Sequence, residues 1–142
     1  MNAIDLLKKY WGHNKFRLNQ EKIIQQVIAK NDTLALLPTG GGKSICYQIP
    51  TLMSEGICLV ISPLISLMDD QVRFLKSKGI KSVSITSAMQ YKEIDTALTN
   101  CIYGRTKFLY VSPERLQNEL LIQRIKEMNI NLITVDEAHC IS

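Results

Sequence analysis

Two hydrophobic periods divide the chain. As far as Asn31-Asp32, apolar positions recur at helical spacing; after it, short runs of Val, Ile and Leu alternate with further helical stretches. The first part predicts two short amphipathic helices. Asn2 caps one, in which Ile4, Leu7 and Trp11 share a face until Gly12. Asn19 caps the other, whose apolar stripe is Ile23, Ile24, Val27 and Ile28. Strands are expected over 33–37, 57–61, 82–86, 107–111 and 130–135, apolar enough to be covered on both faces. One intervening helix carries Leu64, Met68, Val72 and Leu75 and stops at Gly79. Another carries Tyr91, Ile94, Leu98 and Ile102 and closes at Gly104, and a third starts at Ser112-Pro113. Such alternation predicts an α/β fold with a three-layer parallel sheet, preceded by two short helices.

Composition narrows the class. The chain has 142 residues, 46% hydrophobic and 21% charged, which suits one globular domain or part of a larger one. No apolar run approaches the ~20 residues that span a bilayer, and the N-terminus lacks the basic-then-apolar order of a secretory signal. The four cysteines, Cys46, Cys58, Cys101 and Cys140, form no C-x-x-C pair and sit in or beside apolar segments, as buried free thiols do. The net charge of +4 permits a nucleic-acid partner without requiring one. Lys76, Lys78 and Lys81 form a cluster that reads as a solvated helix end.

Candidate chemistry lies at two strand ends. Leu37-Pro38-Thr39-Gly40-Gly41-Gly42-Lys43-Ser44 follows a predicted strand and opens a predicted helix, the context of a nucleotide phosphate loop. Consecutive glycines let backbone N–H groups close around an anion, and the helix adds its positive end. Lys43 then reaches the β- and γ-phosphates, and the Ser44 hydroxyl is placed to ligate Mg²⁺. Leu37 stands where the strict pattern wants glycine, so the loop alone is also compatible with a plain glycine-rich turn. At the other strand end, Ile130 to Val135 run into Asp136-Glu137. Acids at the carboxyl edge of a parallel sheet face the ligand crevice. Asp136 suits Mg²⁺ and Glu137 suits activation of a water for γ-phosphate hydrolysis. Together the two motifs point to NTP hydrolysis.

Ala138-His139 complete D-E-A-H, and here the chain resembles the superfamily 2 helicases, more specifically the first motor domain of RecQ-type DNA helicases. FRLNQ at 16–20, LLPTGGGKSICYQIP at 36–50, ISPLISLMDDQV at 61–72, VSPERL at 111–116 and DEAHCIS at 136–142 carry the resemblance in order. It implies a RecA-like P-loop NTPase fold, an incomplete one, with residues 1–32 forming N-terminal helices with adenine recognition and residues 33–142 a partial motor domain. It assigns Gln20 to the adenine edge, where a carboxamide pairs bidentately with N6 and N7, and places Arg17 and His13 against the nucleotide. His13 stands where the family often has a stacking aromatic ring, so a plain surface histidine is the alternative. Thr39 to Ser44 hold the phosphates. Ser62, Pro63 and Leu64, with Ser112 and Arg115, resemble segments that track single-stranded DNA through its phosphates.

The implied cofactors are ATP and Mg²⁺, and the implied partners are single-stranded and partly duplex DNA and the rest of a parent helicase chain, with no membrane. The implied location is the cytoplasm, at the nucleoid. The implied activity is ATP-driven 3′–5′ duplex unwinding. Further expected parts include a strand that inserts between those at 33–37 and 130–135, and a second RecA-like domain. Two other classes are weighed. A GTPase would carry N-K-x-D after the loop, whereas Asn14-Lys15-Phe16-Arg17 precedes it and lacks the Asp. A non-catalytic, nucleotide-gated nucleic-acid-binding module is the stronger rival.

Overall fold

The computed structural model describes residues 1–17, 19–30 and 42–136, so the expected strand over 33–37 lies outside the described residues. Two compact units are present, Met1–Glu55 and Gly56–Ser142.

In the first unit, α1 (Ala3–Leu6) starts at Asn2, whose side chain accepts from the Asp5 amide at 2.9 Å, as expected of this cap. The expected α-helix does not continue. Residues Leu7–Trp11 wind as a π-helical stretch and end at Gly12, which is left-handed at φ +73°. The wider turn sets Leu6 and Leu7 together in the core, with Tyr10 and Trp11 packed against it. α2 (Gln20–Ile28) begins after Asn19, but the Asn19 side chain makes no cap hydrogen bond. Of its expected stripe Ile24 is buried, whereas Ile28 is 43% exposed. α3 (Ile45–Leu52) is buried from Ile45 through Thr51, and Ile45 and Ile49 close the small core with Leu6, Leu7 and Ile24. Pro50 removes a backbone donor inside α3, and the Thr51 hydroxyl donates to the Tyr47 carbonyl at 2.9 Å.

The second unit is a parallel sheet of four strands, β1 (Ile57–Ile61), β2 (Ser82–Ile85), β3 (Phe108–Val111) and β4 (Ile130–Val135), in the order β2-β3-β1-β4. α4 (Ile65–Ser77) joins β1 to β2, α5 (Tyr91–Tyr103) joins β2 to β3, and α6 (Glu119–Lys126) lies between β3 and β4. The chain steps outward to β2 and then back, so right-handed crossovers put α4 on one face and α5 and α6 on the other. Leu59, Ile85, Leu109 and Val111 meet Ala97, Leu98, Cys101 and Leu121 on the α5–α6 face. Their strand neighbours Cys58, Val60, Phe108 and Tyr110 are buried on the α4 side, with Met68, Val72 and Leu75. The expected three-layer α/β arrangement with parallel strands is therefore present.

Local expectations change where side-chain chemistry overrides periodicity. Leu64 is extended and 39% exposed, and α4 starts after it. Tyr91 is 69% exposed, leaving Leu98, with Ala97 and Cys101, as the buried stripe of α5. Gly104 ends α5 without left-handed geometry; a Cβ there would stand 2.6 Å from the Asn100 carbonyl oxygen, so close approach requires the glycine. The helix expected from Ser112 is two elements. A 3₁₀ turn at Pro113–Gln117 comes first, without a Ser112 side-chain cap, and Asn118 then caps α6 through the Leu121 amide at 3.2 Å. A register shift between Ile57 and Cys58 in the β1–β4 pairing leaves Asn131 as an extra residue. β4 is not covered on both faces among the described residues, since Ile133 is 60% and Val135 47% exposed.

Cys46, Cys58 and Cys101 are buried free thiols, as expected; Cys140 lies outside the described residues. Burial pushes Cys46 and Cys101 from 9.0 up to about 11, against smaller opposing hydrogen bonds from the backbone and from Thr106. A folded value above the unfolded one means that these thiols favour folding fully below pH 9 and lose that contribution as pH rises through 11. At pH 8 both should carry about 100-fold less thiolate than in the unfolded chain. Residue-resolved alkylation of native and urea-unfolded protein checks this; equal rates would contradict the burial.

Candidate nucleotide and nucleic-acid site

In the first unit, Gln20 organises the site. It is only 3% exposed, although glutamine is mostly a surface residue. Its Oε1 accepts from the Arg17 amide at 2.8 Å and its Nε2 donates to the Gly42 carbonyl at 3.0 Å. The first bond brings the chain into α2 where the Asn19 side chain does not. The second fixes the residue just before Lys43 and Ser44. Gly42 is left-handed at φ +72°, which favours glycine, and a Cβ there would displace the Gln20 amide from its bond.

Lys43 and Ser44 follow directly at the start of α3, both half-buried. Ser44 occupies the N-cap position without a side-chain cap bond, which suits a hydroxyl with a metal to bind. A cation, a hydroxyl and a helix start after a glycine turn form a donor set that fits a nucleotide phosphate chain with Mg²⁺. His13 and Arg17 are exposed side chains, and only the Arg17 backbone is tied to Gln20. Thr39, Gly40, Gly41 and Glu137 lie outside the described residues.

In the second unit, the ladder runs one residue past the strand ends. The Asp136 amide donates to the Ile61 carbonyl at 2.8 Å, and the Ser62 amide donates to the Val111 carbonyl at 3.0 Å. These bonds set Ser112, Ser62 and Asp136 side by side on three adjacent strands, at a strand spacing of ~4.8 Å. Ser62 is 2% and Ser112 7% exposed, so both are buried at this edge. The Ser62 hydroxyl accepts from the Leu64 amide at 3.4 Å, which turns the chain through Pro63 into α4. Arg115 also comes to this edge, but its guanidinium donates to the Thr86 carbonyl at 2.6 Å. It thereby fixes the turn after β2, a structural role that sequence reasoning missed. The ties from Gln20 to Arg17 and Gly42 were likewise invisible in the sequence; the nearest signal is the glycine preceding Lys43.

Residues 17–142 match the DEAD/DEAH box helicase family, and the chain belongs to that family. It is 47% identical over 141 residues to the ATP-dependent DNA helicase RecQ of Bacillus subtilis, covering 99% of this chain and 24% of that protein. It is 43% identical over 136 residues to the probable ATP-dependent DNA helicase RecS of the same organism, covering 96% and 27%. The RecQ of Pasteurella multocida is 41% identical over 140 residues, covering 99% and 22%. The chain thus spans about a quarter of the length of these curated relatives, and its similarity to RecQ-type helicases runs through nearly all of it.

Gly42→Ala should weaken ATP binding through both strain and collision, with the backbone part costing ~1–2 kcal/mol. In a Gln20→Ala background the collision disappears, so the added loss should be smaller. Dissociation constants across the double-mutant cycle test this, and strictly additive losses would contradict the contact.

Proposed function

We propose that this chain is the nucleotide-binding part of the first motor domain of a RecQ-type, ATP-dependent DNA helicase. In the full-length enzyme it binds ATP with Mg²⁺ and single-stranded DNA and couples hydrolysis to 3′–5′ unwinding of partly duplex DNA. Residues 1–32 serve adenine recognition, and residues 33–142 are a partial RecA-like domain. The observation that carries the reading is the row of Ser112, Ser62 and Asp136 held by the extended ladder. It brings segments suited to phosphate contact and a metal-ligating carboxylate onto one edge.

The roles follow from side-chain chemistry. Bound Mg²⁺ would neutralise phosphate charge and orient the terminal phosphoryl group. Ser44 and Asp136 would hold the metal, Lys43 would pair with the β- and γ-phosphates, and Thr39, Gly40, Gly41 and Gly42 would supply backbone N–H donors to them. Glu137 takes the proton of the attacking water. Gln20 reads the adenine edge, with Arg17 and His13 beside the nucleotide. Ser62, Pro63, Leu64, Ser112 and Arg115 contact the DNA backbone, Arg115 also holding the Thr86 carbonyl. The location proposed is the cytoplasm, at the nucleoid; among the described residues no helix is long and apolar enough to cross a membrane. A non-catalytic nucleotide-gated module would share the binding residues but leave Glu137 without a task.

In the full-length enzyme, Lys43→Ala should cut ATP turnover at least about 100-fold, the effect of losing one charged transition-state contact worth ~3 kcal/mol. Glu137→Gln should bind ATP·Mg²⁺ normally yet hydrolyse it very slowly, whereas Asp136→Asn should shift the Mg²⁺ dependence. Near-normal turnover in folded Lys43→Ala, or the same affinity defect in both acid variants, would overturn the division of roles.

The isolated 142-residue chain should neither unwind DNA nor turn over ATP appreciably. Ile133 and Val135 leave an apolar stretch of β4 open on the face opposite α4, and exposed strand edges favour association between copies. Analytical ultracentrifugation with an ATPase assay checks this. A monomer with robust DNA-stimulated turnover would contradict it.

A further inference from the structure

We propose that the outer edge of β2, with the groove at its amino end, binds an extended acidic peptide segment of a partner protein, added to the sheet as a further strand. β2 is the outermost strand, and among the described residues it pairs only with β3. Every second residue of such a strand turns its N–H and C=O outward, which is a template for another backbone. Edge strands are commonly guarded by a charge or proline within the strand. Here the strand reads Ser82-Val83-Ser84-Ile85 and carries neither; the carboxylate against it is Asp69 of α4, which accepts from the Ser84 hydroxyl at 3.2 Å.

A groove of about 540 Å³ opens beside this edge, between β2, the end of α4 and the face of α5. Val83, Met89 and Ala97 make it partly apolar, and Lys76 and Lys81 bring two ammonium groups into its wall. Glu93 is its one carboxylate. Lys78 and Arg105, both exposed, lie one or two residues from segments that form the wall, so the positive charge continues beyond it. The cations flank the strand instead of sitting on it, so they leave the ladder open while favouring an acidic ligand. A strand of four residues spans ~13 Å, so the segment recognised is short and the interaction transient.

Nucleic acid is the less suitable occupant. Its backbone cannot continue a peptide ladder, and Val83, Met89 and Ala97 offer a phosphate nothing. This groove also borders the amino end of β2, whereas Ser62, Ser112 and Asp136 lie beyond the carboxyl ends of their strands.

The test uses the full-length enzyme and a fluorescein-labelled ten-residue peptide alternating aspartate and valine. Fluorescence anisotropy should show saturable binding, weakened at least about tenfold in a Lys76→Glu/Lys81→Glu variant whose thermal unfolding midpoint is unchanged. The same peptide N-methylated at alternate residues keeps its charge but cannot complete the ladder, and it should not bind. Binding of the methylated peptide equal to the parent would reduce the effect to charge alone and overturn the proposal. So would no binding to the wild-type enzyme, or single-stranded oligonucleotide binding that falls as much in the charge-reversal variant.

Discussion

The hydrogen bonds that carry the parallel ladder past the ends of β1 and β4 are the constraint on which the edge depends. Asp136 N–H to Ile61 and Ser62 N–H to Val111 are ordinary backbone bonds. Their effect is that residues distant in sequence become neighbours at a spacing set by the sheet. Parallel strands all present their carboxyl ends on one side, so each strand-to-helix turn delivers its first residues to the same edge. At β1, Ser62 and Pro63 turn the chain toward α4, with the Ser62 hydroxyl accepting from the Leu64 amide. The chemistry is thus a by-product of topology, supported by a core in which Phe108, Val60, Leu109 and Val111 are wholly or almost wholly buried.

The first unit solves a different problem. A phosphate loop needs a backbone that turns sharply and stays turned before the nucleotide arrives. Gln20 supplies part of that by bonding to the Gly42 carbonyl from a buried position. Because the same side chain also holds the Arg17 amide, the segment before α2 and the start of α3 share one amide group. Any ligand that shifts Gln20 therefore acts on both. The segment before α2 and the start of α3 are mechanically related through a single residue.

The apolar pattern made the sheet legible in the sequence. Runs such as Ile57–Ile61 and Phe108–Val111 have no other stable placement than between two helical layers. Places governed by one side chain were not legible. Asn19 resembles a cap, yet Gln20 three residues beyond Arg17 takes the amide that matters. The helix from Ser112 is broken at Asn118, whose side chain caps α6. Tyr91 matches a helical stripe by spacing but sits a turn too early to reach the sheet. For the site, the motif residues were legible, whereas the bond of Arg115 to the Thr86 carbonyl, across 29 residues, was not. The openness of β4 depends on which elements cover it, which its own apolar sequence does not specify.

On the function proposed above, the carboxyl edge of this sheet, and not its amino edge, meets nucleic acid. Hydrogen–deuterium exchange of the full-length enzyme with and without an oligothymidylate tests it directly. Protection should appear over residues 61–66 and 111–116, with no change over 76–83 and 104–107. Protection confined to the latter two segments would put nucleic acid at the amino edge instead.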